Sequence, residues 1–135
     1  MASYQNFLFS AEPSGVFFAR VKTALSNFCD SLTRTTSLMA DDRRARIEFY
    51  REEYYFYLAL AEESWVAEES REIADNQAKR SEAEVIRNCP YRLEFYGDDD
   101  LNMDYFNDYF ALMEEIQKIP GAIIFDYPNG KFFGD

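Results

Sequence analysis

Histidine is absent from all 135 residues of the chain, and that one absence removes a large part of enzyme chemistry. No Ser-His-Asp or Cys-His arrangement can be assembled, and the Glu-x-x-His pattern of histidine-containing di-iron bundles is excluded. Cysteine is nearly as scarce. Cys29 and Cys89 lie far apart with no Cys-x-x-Cys pair, so a zinc site would need an unusual ligand set and both are expected to be reduced thiols. No apolar run approaches the roughly eighteen residues of a membrane span. The opening "MASYQNFLFSAEPSG" has no basic residue ahead of its short apolar patch, which argues against a secretory signal and for a cytoplasmic setting.

Bases are missing from one region in particular. Between Glu94 and Asp135 ten acids face only Lys118 and Lys131, and the whole chain carries a net charge of −11. Affinity for phosphates comes mainly from clustered Lys and Arg, so direct nucleic-acid binding is not expected. A protein partner with a basic surface is the complementary expectation.

Aromatic residues, by contrast, are plentiful. With 13 Phe, 10 Tyr and 1 Trp, and 47% hydrophobic residues overall, the composition supports one folded domain over residues 1–135 rather than a disordered acidic tail.

Periodicity sets the expected elements. The first dozen residues read as an irregular or short extended lead-in. Pro13 suits the first turn of a helix, in which Val16, Phe17, Ala19, Val21, Ala24, Leu25, Phe28 and Leu32 recur at three- and four-residue steps. After a turn near 34–40, Asp41 or Asp42 can cap a second helix. No Gly or Pro then appears until Pro90, which predicts one very long helix or two joined by a bend near 67. On it Ile47, Tyr50, Tyr54, Tyr57, Leu58, Ala61 and Trp65 gather on one face, and Phe49, Phe56 and Leu60 nearly opposite. Ser81 and Glu84 match a capping box that marks a local restart.

Beyond Pro90 the period becomes two: Tyr91, Leu93 and Phe95 alternate with Arg92 and Glu94 as a short strand. Asp100 can cap a helix over 101–119, with Met103, Phe106, Phe110, Met113 and Ile116 as its stripe. "AIIFDYPNGKFF" predicts a hairpin about Pro-Asn-Gly. The expected class is α+β and predominantly helical: two long N-terminal helices, covering about 13–89, packed with a small C-terminal β-α-β-β unit over about 91–135.

No motif names a ligand, and no cofactor or metal is expected. "DDD" at 98–100 with Asp104 lacks the spacing and glycine of an EF-hand loop. The residues expected to bind a partner are the acids Asp98, Asp99, Asp104, Asp108 and Glu115, for attraction, and the rings of Tyr55, Trp65 and Tyr105, for tight contact. Together they predict a non-enzymatic acidic protein-binding module, an inhibitor or immunity-type antagonist of a basic partner. Where that partner binds nucleic acid, the acids would mimic phosphates. The alternatives are a structural protein self-assembling through the long helix, and a carboxylate and metal enzyme.

Overall fold

A computed structural model describes residues 4–134. Its centre is a seven-stranded antiparallel sheet in the order β2-β3-β4-β5-β1-β6-β7. The strands are β1 (Gln5–Phe9), β2 (Thr36–Ala40), β3 (Arg44–Phe49), β4 (Tyr54–Ala61), β5 (Arg92–Gly97), β6 (Ile123–Asp126) and β7 (Lys131–Phe132). The helices are α1 (Ser14–Ser31), α2 (Ser64–Asn76), α3 (Glu82–Asn88) and α4 (Phe106–Gln117).

This overturns the expected predominantly helical class with two long N-terminal helices. The first of them exists, as α1; of the second, only the part from Ser64 onward is helical, as the short α2 and α3. The aromatic segment expected to be helical forms the β3–β4 hairpin, with Ile47 opposite Phe56 and Phe49 opposite Tyr54. Aromatic residues fit a pleated surface well, and along β4 Tyr54, Phe56 and Leu58 are buried while Tyr55 and Tyr57 are not. The two opposed helical stripes are in fact the two faces of a strand. The turn between β3 and β4 contains neither Gly nor Pro, and it is closed instead by Arg51 (φ 64°) and Glu53 (φ 54°) in the left-handed region.

Asp41 does accept backbone N–H groups, but in the wrong element for the expectation. Its Oδ1 takes those of Arg43 and Arg44 at 2.8 Å each, closing the β2–β3 turn rather than capping a helix. A helix does restart near Ser81, as α3, yet the Ser81 side chain makes no cap bond. The lead-in is strand β1, at the heart of the sheet between β5 and β6. The expected strand after Pro90 is present as β5, and the Pro-Asn-Gly hairpin as β6 and β7, with Gly130 at φ 64°.

Helices cover the sheet unequally. On one face α1 and α4 lie over Leu8, Leu58, Leu93 and Phe95, all at most 2% exposed; the Tyr109 ring of α4 stacks on Tyr4 at 4.4 Å, and Asn6 donates to the Tyr109 hydroxyl at 2.7 Å. On the other face α2 and α3 cover β1, β6 and β7. Arg80 sits over the Phe132 ring, and Gln77 donates to the Gly130 carbonyl. Among the described residues no helix lies over the β2–β3–β4 part of that second face.

Candidate interaction surface

The acidic segment after β5 is built around two aspartates that serve the fold. Asp100 is buried; it accepts the Tyr4 hydroxyl at 2.6 Å and the backbone N–H groups of Asp104 and Tyr105 at 2.9 and 2.8 Å. This organises the loop ahead of α4 much as a helix cap does. Asp98 accepts the Tyr55 backbone N–H at 3.0 Å and the Tyr57 hydroxyl at 3.0 Å, tying the same loop to β4.

The next turn leaves its apolar residues in solvent. Met103 is held at φ 59°, and its N–H bonds back to the Asp100 carbonyl. Leu101 is 72% exposed, Met103 53%, Phe106 39% and Phe110 44%. The Phe106 and Phe110 rings lie 6.3 Å apart, and Phe110 continues to Phe133 at 5.2 Å. Asp99, Asp104 and Glu114 border this strip, exposed and without an ion pair among the described residues. The surface thus combines exposed rings with uncompensated negative charge.

The expected α4 stripe is split by this arrangement. Met113 and Ile116 are buried with Tyr109 and Leu112, whereas Met103, Phe106 and Phe110 face outward. Helix α4 is apolar over more of its circumference than one sheet contact can cover.

The residues expected to meet a partner fall into two groups. Asp99 and Asp104 are free on the rim. Asp98 is engaged as above, Asp108 is bonded to Arg34, and Glu115 pairs with Lys118 at 2.9 Å. Burial pushes the Asp108 carboxyl up, against the opposing pull of Arg34. Tyr105 is not an exposed ring: it is 9% exposed, stacked on Tyr54, and donates its hydroxyl to Glu52 at 2.8 Å. Burial, then the Glu52 hydrogen bond, pushes its phenol up to about 12. Arg34 closes this cluster, 3.5 Å from Glu52 and over the Tyr105 ring.

Tyr55 and Trp65 lie elsewhere, on the uncovered half of the sheet. There Tyr55, Tyr57 and Tyr96 form a row, with centroids 5.9 and 4.8 Å apart. Two of the hydroxyls are anchored, Tyr55 to Glu48 at 2.8 Å and Tyr57 to Asp98. Trp65, at the start of α2, overhangs a groove of about 730 Å³ lined by Arg44, Ala59 and Glu94. Beneath it Arg92, 3% exposed, lies over Phe7 at 3.7 Å and pairs with Glu69 and Glu94. Charges of both signs meet on this face, so it offers a basic partner no net attraction comparable with the rim.

Sequence reasoning missed Leu101, Phe106 and Phe110 as surface residues. The available signal was the second arc of α4, Tyr109, Leu112, Met113 and Ile116, which meets the helical spacing equally well and competes for the core. Among the described residues no group of His, Cys, Asp and Glu is arranged to hold a metal ion, and no helix is long and apolar enough to cross a membrane. Compared with protein-family models, curated proteins and solved structures, the chain matches none.

Proposed function

We propose that this protein is a non-enzymatic binding module that captures a basic, amphipathic segment of another protein on the acidic rim of residues 99–114. The observation that carries the reading is Leu101, Met103, Phe106 and Phe110 exposed together, bordered by the unpaired Asp99, Asp104 and Glu114. Contiguous exposed apolar surface rimmed by polar groups marks interaction sites. Buried rings supply most of the retained affinity, while complementary charge supplies fast association and choice of partner. Inhibition or antagonism of a basic partner is the role this chemistry suits. The buried Cys89 thiol, pushed up by burial, is compatible with a reducing, cytoplasmic setting.

The test begins with partners recovered from cells at low and high salt, followed by their binding kinetics against two variants. Phe106→Ala/Phe110→Ala is expected to speed release and to weaken binding by about 2 kcal/mol or more. Asp99→Asn/Asp104→Asn is expected to slow association and flatten its salt dependence. A basic partner that binds both variants like the wild type overturns the proposal, as does failure to retain any basic protein at low salt. Competition by DNA or RNA for the same rim would mark the partner's own site as one that binds phosphates.

A further inference from the structure

The sheet ends on one side in β7, only two residues long, and on the other in β2, five residues without proline or charge, "TSLMA". Long, unguarded edges are uncommon because their free backbone groups template pairing with another chain. The register with β3 shows which groups are free. Thr35 accepts from Tyr50 N–H and Asp41 donates to the Arg44 carbonyl, so the odd-numbered residues of β2 bond to β3. The N–H and C=O groups of Thr36, Leu38 and Ala40 therefore point away from the sheet, along the open edge.

We propose that this edge pairs with β2 of a second copy, antiparallel about a two-fold axis at Leu38, to make one sheet continuous through both subunits. The sequence around the edge is self-complementary in that register. Thr36 falls opposite Ala40 of the other copy and Leu38 opposite Leu38, so every outward-pointing residue meets another. Arg34 and Asp42 flank the paired segment beyond its two ends, Arg34 keeping its bonds to Asp108 and Glu52. The location suits self-association in a chain of net charge −11. Residues 34–46 hold Arg34, Arg43, Arg44 and Arg46 against Asp41 and Asp42 only, so this is a region that the acid excess avoids. Such an interface is isologous and closes at two copies. It sets Met39, 56% exposed on the open tyrosine face, beside Ser37 of the other copy, and it pairs residues 36–40 rather than the exposed residues of the acidic rim.

The register makes a specific test, since Ser37 falls opposite Met39 of the other copy. Sedimentation equilibrium of the full chain is expected to show a monomer–dimer equilibrium. Ser37→Lys/Met39→Lys sets lysines opposite lysines twice and is expected to raise the dissociation constant about tenfold. Ser37→Lys/Met39→Glu sets opposite charges there and is expected to restore or tighten it. Circular dichroism of each variant establishes that the fold is kept, and Ala40→Pro removes an outward N–H without touching the β3 ladder, giving a second route to the monomer. A wild type that stays monomeric at every concentration overturns the proposal. So does a dimer that tolerates the lysine pair and the proline unchanged.

Discussion

The rings of Tyr54 and Tyr105 stack face to face, with centroids 3.7 Å apart and planes within 6°. One belongs to β4 and the other to the residue just before α4, so the contact locks the acidic loop onto the sheet. Truncating Tyr105 to Ala removes that lock and leaves a cavity beside Phe49, at a cost of about 3–5 kcal/mol, the range for large buried rings. Phe106→Ala, one residue on and 39% exposed, is expected to cost about 1 kcal/mol or less. Urea unfolding of the two variants checks the contrast.

Neighbouring aspartates are expected to fail in different assays. Asp98 accepts two hydrogen bonds from β4, and an unsatisfied donor costs about 1–3 kcal/mol when it is buried. Asp98→Ala should therefore lower stability by about 1–2 kcal/mol, part of that cost being relieved by solvent at this half-buried site. Asp99→Ala should leave the unfolding midpoint within error and change only the association rate with a basic partner. Equal stability losses would show that Asp99 serves the loop as well.

Alkali should unfold the protein through its tyrosines. Burial, then a hydrogen bond to a carboxylate, pushes Tyr57 and Tyr105 up to about 12 from an ordinary 10.0, and burial pushes Tyr4, Tyr54 and Tyr91 higher still. Because these folded-state values are raised, the unfolded chain releases protons first. Their contribution to stability is complete below about pH 10 and is lost as pH rises toward 12. Denaturant midpoints measured across that window should fall steadily, with the phenolate absorbance of these five rings rising at the unfolding transition rather than before it. Early, non-cooperative titration of these five rings would contradict the burial described above.

Met103 should show stability and binding moving in opposite directions. Its φ of 59° is a conformation that costs an L residue roughly 1 kcal/mol and glycine little. Met103→Gly is expected to raise stability by a few tenths to about 1 kcal/mol while weakening partner capture, because it deletes an exposed apolar contact. Thermal melts and binding kinetics on the same sample check both signs.

How much of this was legible varied by segment for physical reasons. Helix α1 and the Pro-Asn-Gly hairpin were plain because apolar spacing and turn chemistry agreed there. The β3–β4 hairpin was hidden because "YYFYLALA" is apolar on both faces: the outward Tyr55, Tyr57 and Ala59 mask the alternation of Tyr54, Phe56 and Leu58. Its turn was equally hidden, since Arg51 and Glu53 adopt angles usually signalled by glycine or asparagine. At the rim, charge alone pointed to five acids but not to which of them are free: Asp99 and Asp104 are, whereas Asp98, Asp108 and Glu115 are engaged. The exposure of Phe106 and Phe110 could not be read, since it depends on which arc of α4 meets the sheet.

The central place of β1 orders events during synthesis. Its residues pair with β5, Gln5 with Tyr96, and with β6, Phe9 with Ile123, so an early-made strand waits for two of the later ones. Until Ile123–Asp126 leaves the ribosome the middle of the sheet has a missing neighbour, and Phe7 and Phe9 lack part of their cover. Such long-range closure slows folding and lengthens the time in which sticky edges are open to other chains. Loss of β6 and β7 would leave β1 unpaired along one side.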